Sequence, residues 1–141
     1  MDGEGTYTLV VELTDGATVE FGAAGARDLQ AGWYAYVGSA FGPGGFSRVD
    51  RHRELARGNR DTRHWHVDSL LGHPASRLAE VVTTADADVE CAVARSLAET
   101  LTPVAGLGAS DCDCDSHLAF APDHERLVDA VERTHESAVE G

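Results

Sequence analysis

The sequence predicts one α+β domain, a small mixed and mainly antiparallel sheet flanked by helices. Three observations carry this. The first third of the chain alternates apolar and polar residues with period two, as strands do. A later segment, "DVECAVARSLAETL", carries an apolar stripe at helical spacing. The 141 residues, 43 % of them hydrophobic, suffice for a single ordinary core. The domain spans residues 1–141, with a core over about 5–121 and a C-terminal helix over about 122–138.

In "TYTLVVELTDGATVEFG", Tyr7, Leu9, Val11 and Leu13 share one face of a first strand. Asp15-Gly16 is a hairpin turn signal, so "ATVEF" is expected to pair back on it. "AAGARDLQA" reads as a loop. "GWYAYVGSA" has aromatics on both faces and reads as a central third strand. Glycine and proline between Phe41 and Phe46 make a turn. Ser47 is placed as the N-cap of a helix, "RVDRHRELARG", that stops at Gly58. "TRHWHVDSLLG" is a second short helix capped by Thr62, and "RLAEVVTTA" a fourth strand. In "DVECAVARSLAETL", Asp88 is the expected cap, and Val89, Val93, Leu97 and Leu101 form the apolar stripe. "GLGASDCDCDSHLAF" is a loop entering a short strand, and a terminal helix starts at Pro122.

The charge is uneven. Twenty-four acidic residues oppose 11 basic ones, all arginine, for a formal net charge of -13. Such a surface suits a cytoplasm of very high salt, as in a halophilic archaeon, where the Debye length falls to about 3 Å. An acidic protein of a GC-rich bacterium is the alternative. No basic-then-apolar leader and no long apolar run occurs, so a cytoplasmic location is expected. The three cysteines agree, because Cys112 and Cys114 are too close in sequence for an easy disulfide. Against the acidic background, six of the arginines fall between Arg48 and Arg63, opposed there only by Asp50, Glu54 and Asp61. His52, His64 and His66 extend this basic island, which has the form of a phosphate-reading surface or of an ion-paired helix.

Two tyrosine tripeptides stand out beside it. The first strand opens with Gly5, Thr6 and Tyr7, and the third holds Tyr36, Val37 and Gly38. Arg48 and His52 follow at R-x-x-x-H spacing, and Glu90 stands near the start of a later helix. In this order the set resembles the GIY-YIG nuclease superfamily, named for such tripeptides. "GWYAYVGSAFGPGG", "RHWHVDSLL" and "SDCDCDSHL" are similar to one archaeal and thermophile branch of it, sometimes fused to endonuclease III. The resemblance covers roughly residues 5–120. It departs from the usual pattern in that 28 residues lie between Tyr7 and Tyr36, and the family's late asparagine is not evident.

The resemblance implies a metal-dependent endonuclease that hydrolyses phosphodiester bonds in DNA, with a role in repair. By position, Tyr7 and Tyr36 would be the paired tyrosines, with Tyr7 the favoured general base and Tyr34 its main competitor on the strand. Arg48 would offer a planar fork to the phosphoryl oxygens. His52 would hydrogen-bond a tyrosine or a phosphate. Glu90 would hold Mg²⁺ or Mn²⁺, for which one carboxylate suffices because the hard cation keeps waters and takes substrate oxygens. Gly38 would let substrate approach the strand closely. Arg51, Arg57, Arg63, His64 and His66, with Asp68, are the remaining candidates for contact with nucleic acid or metal. Structured or damaged DNA is the expected partner, beside other repair enzymes.

A second candidate site lies in "SDCDCDSH". Cys112, Cys114 and His117 are donors that suit zinc, with His64 or His66 as a fourth ligand, although C-x-C is tighter than the usual clasp. A polar loop with turn-capping aspartates explains the same residues. Two other functions therefore stay open: a nucleic-acid-binding module of the same fold that does not cleave, and a small zinc-organised structural protein.

Overall fold

The computed structural model describes residues 3–21, 25–40, 45–56, 66–104 and 116–140, with the side chains of residues 48, 66–68, 139 and 140 outside the description. Seven strands and four helices follow one another among them: β1 (Gly5–Leu13), β2 (Ala17–Glu20), β3 (Ala26–Leu29), β4 (Gly32–Ser39), α1 (Ser47–Ala56), α2 (His66–Leu71), β5 (Ser76–Ala85), α3 (Glu90–Thr100), β6 (Thr102–Pro103), β7 (Leu118–Ala121) and α4 (His124–Glu140). Five strands form one sheet in the order β5-β1-β4-β7-β6, and every described pairing in it is antiparallel. β4 is central, as its two-sided aromatic pattern predicts.

The hairpin reading of Asp15-Gly16 fails. β2 does not return to β1; it pairs with β3 in a separate two-stranded ribbon. The residues read as a loop after β2 thus supply a strand. The reason lies in β1, whose nine residues are buried but for one half-buried position. Both its edges are taken by longer partners, β4 and β5, which bury far more surface than four-residue β2 could. β1 and β4 lie side by side although the ribbon intervenes in sequence.

Two cores sandwich the sheet. Leu9, Val11, Leu13, Val49, Leu55 and Leu70 belong to one, which also takes up the ribbon's Val19 and Leu29. Val10, Ala35, Val37, Val93, Leu97 and Leu127 belong to the other, beneath α3 and α4. Alternation along β1 sends successive side chains into opposite cores, so both depend on one strand.

α3 is not capped by Asp88. Val89 occupies the N-cap position without a side-chain cap. Its N–H instead donates to Thr6 Oγ1 (3.0 Å), and the Thr6 hydroxyl donates to the Ala87 carbonyl (2.9 Å). A threonine on β1 therefore does the capping work from another element, and it pins the start of α3 to the start of β1. The expected stripe holds through Val93 and Leu97, with Glu90 buried beside them. Among the described residues no helix is long and apolar enough to cross a membrane.

Candidate active site

The register brings the two tripeptides together. Tyr7 pairs with Gly38 and Leu9 with Tyr36, so the three aligned side-chain positions Tyr7, Gly38 and Tyr36 share one face of the sheet. Tyr7 is buried, and Tyr36 is partly buried against the same core. Gly38 has a specific steric task. A Cβ there would lie 2.5 Å from the Tyr7 hydroxyl oxygen and 2.8 Å from Cε2. The phenol ring itself occupies the space that the sequence reading assigned to an approaching substrate. Gly5 is constrained likewise, since a Cβ would run into the Thr84 carbonyl of β5.

His52 completes this group. It lies on the sheet-facing stripe of α1 with Val49 and Leu55, and it is fully buried. Its Nε2 is 3.0 Å from the Tyr7 hydroxyl, with the two rings tilted at 49°. With the imidazole protonated on Nδ1, the Tyr7 O–H donates to Nε2, and the histidine can then receive the tyrosine proton. The R-x-x-x-H helix therefore meets the first tripeptide through its histidine. The backbone of Arg48 stands one turn before His52, while its side chain lies outside the described residues.

Tyr34 does not join them. Its hydroxyl donates to the Gln30 carbonyl (2.8 Å) towards the other end of β4. Burial pushes its phenol up to about 12, an effect that the backbone hydrogen bond only partly offsets. A proton held this firmly is a poor base precursor, so the choice among the three tyrosines narrows to Tyr7 and Tyr36.

Glu90 lies at the same end of the sheet but is not brought together with Tyr7 and His52: it starts α3, which packs on the opposite core. Thr6, next to Tyr7 on β1, holds the residue before it. The Glu90 side chain is 11 % exposed, and its Oε2 is 3.5 Å from Nδ1 of His117. His117, a candidate zinc donor with Cys112 and Cys114, lies against Glu90 and the Val37 backbone. Cys112 and Cys114 lie outside the described residues, as do Arg57, Arg63 and His64, and the side chain of His66. Sequence reasoning missed the His117–Glu90 pairing because 26 residues and a chain reversal stand between them.

The basic island is described only in part. Arg51 is half-buried on α1, and Arg53 lies 3.8 Å from Asp50 in an exposed pair worth little by itself. A cleft of about 330 Å³ opens between α1 and β5, lined by Arg53, Ala56, Arg77, Leu78 and Val81. None of its lining residues belongs to the Tyr7 or Glu90 groups, and the hydrogen-bonded chemistry, rather than the size of the hollow, marks the candidate site. The expectation of thiols without a disulfide is corrected at Cys91, which is disulfide-bonded. The sequence reading weighed only the pair at 112 and 114.

The donor set fits one kind of metal better than another. Among the described residues no group of three or more histidine, cysteine, aspartate or glutamate side chains could hold an ion. A lone, slightly exposed carboxylate matches a hard cation that completes its shell with waters and phosphate oxygens. No curated protein and no solved structure is detectably similar to this chain. A family model described as a domain of unknown function matches residues 6–140, nearly the whole of the two-core fold, and the chain therefore belongs to the DUF123 family.

Proposed function

We propose that this domain is a metal-dependent DNA endonuclease that hydrolyses phosphodiester bonds in structured or damaged DNA. The observation that carries the reading is the buried Tyr7–His52 pair, a hydroxyl and an imidazole at 3.0 Å; Glu90 is held at the same end of the sheet, on the side of α3. A phenol that can pass its proton to an imidazole is a base for water. Glu90 is the residue that would hold Mg²⁺ or Mn²⁺; when bound, the cation stabilises charge on the phosphoryl and leaving oxygens. Arg48, one turn from His52 along α1, is assigned the transition-state oxygens. Tyr36 flanks Tyr7 on the same sheet face and is assigned to orient the attacked phosphate.

The test uses branched, nicked and flapped DNA with Mg²⁺ or Mn²⁺ in molar salt, suited to an acidic chain. Tyr7→Phe lowers the cleavage rate by about 10²–10⁴-fold, the usual contribution of a positioned base. Cleavage that survives both Arg48→Ala and Glu90→Ala sinks the proposal. The burial of Tyr7 favours one competing reading, a module that binds DNA without cutting it. That reading gains if all variants bind flapped DNA while none, wild type included, cleaves it.

A further inference from the structure

We infer that His117 is the positioning residue for Glu90, presenting its carboxylate to a divalent cation; this rests on the proposal above that Glu90 is the metal ligand. His117 precedes β7 by one residue and continues the β7–β4 ladder with both backbone and side chain. The Val37 N–H donates to the His117 carbonyl (2.9 Å), and His117 Nδ1 lies 3.2 Å from the Val37 carbonyl. A carbonyl oxygen only accepts, so Nδ1 carries the proton. That N–H is given to the Val37 carbonyl, and Glu90 Oε2 lies 3.5 Å from the same nitrogen, a charge–dipole contact rather than a second hydrogen bond.

Both partners are held from behind. The His117 side chain is 1 % exposed, so water does not compete for the contact. Ser116 Oγ bonds both the N–H and the carbonyl of Leu118 (3.0 Å each), fixing the turn that presents the imidazole. Thr6 fixes the backbone just before Glu90. What remains free is the torsion of the glutamate side chain, and the His117 N–H biases it by attracting one carboxylate oxygen. The other oxygen is left to a cation. Outer partners of this kind orient a ligand, and their loss typically lowers metal affinity.

The experiment is a Mn²⁺ titration of the full chain without DNA, with free Mn²⁺ read by electron paramagnetic resonance. Wild type, Glu90→Gln, His117→Ala and His117→Asn are compared, each checked by circular dichroism for a folded baseline. Asparagine places an amide N–H near the Nδ1 position, so it restores the donor without the imidazole. Glu90→Gln abolishes the site; His117→Ala raises Kd by about 10–100-fold, and His117→Asn stays within about threefold of wild type. If Glu90→Gln loses Mn²⁺ but His117→Ala binds as wild type, the inference falls and the metal assignment stands. Equal weakness of the folded alanine and asparagine variants overturns it as well. If Glu90→Gln binds Mn²⁺ as wild type does, the metal assignment and the inference both fall.

Discussion

Replacing Gly38 with alanine tests the tightest contact in the candidate site. The new Cβ would stand 2.5 Å from the Tyr7 oxygen and 2.8 Å from Cε2, where ordinary contact needs 3.4 Å or more. The β4 backbone is held in register opposite Tyr7, so the ring must give way, by roughly 1 Å. Such overpacking costs about 1–3 kcal/mol, and stretching the 3.0 Å bond to His52 removes about 1 kcal/mol more. Exchanging glycine for alanine in a strand returns about 0.5–1 kcal/mol, for a net loss of about 1–3 kcal/mol. Urea unfolding in molar salt measures it as a shift in midpoint at unchanged slope. The discriminating step is a double-mutant cycle. In a Tyr7→Ala background the same substitution meets open space and becomes neutral or stabilising. In a Tyr7→Phe background most of the cost persists, because the ring carbons remain. An equal midpoint loss with tyrosine and with alanine at position 7 refutes the argument that Gly38 exists to seat the phenol.

His135 sets an acid limit on stability. It is buried on α4, with Nε2 2.7 Å from Thr8 Oγ1 and Nδ1 2.8 Å from Thr84 Oγ1, and burial lowers its pKa from 6.5 to about 4. The folded state thus excludes a proton that the unfolded chain accepts. Its contribution is complete above pH 6.5, declines as pH falls to about 4, and amounts to about 3 kcal/mol over that window. Urea midpoints of wild type and His135→Gln, compared at pH 7.5 and 4, should diverge by that amount; parallel declines would contradict it. Tyr34→Phe should leave any nuclease activity within about threefold of wild type, because its hydroxyl serves Gln30 at the far end of β4, whereas a loss as large as that of Tyr7→Phe would reopen the choice of base. Alkylation of the denatured, unreduced chain should label one of its three cysteines, since Cys91 is disulfide-bonded; labelling of all three would exclude the bond.

Local chemistry was the legible part. Period-two alternation placed β1, aromatics on both faces placed β4, the apolar stripe placed α3, and Ser47 marked the beginning of α1. The residue types of the candidate site were also visible, because tyrosines beside glycines and an R-x-x-x-H pair are patterns within single elements. Pairing was not. Asp15-Gly16 looks like a hairpin turn whatever becomes of β2, since a turn signal reports local backbone preference and not the partner that wins the longer edge. Asp88 looks like a cap because its spacing is right; Thr6, more than 80 residues earlier, takes the donor instead.

By itself, then, the sequence determined an α+β chain with a central aromatic strand and offered the residue types of a candidate site, all of which follow from preferences of neighbouring residues. Only the tertiary structure decided that the Tyr7 ring fills the space above Gly38, that His52 rather than a solvent molecule meets its hydroxyl, and that His117 faces Glu90. These are contacts across 26 to 44 intervening residues, settled by which strands bury the most apolar surface together. No spacing rule along the chain encodes that competition.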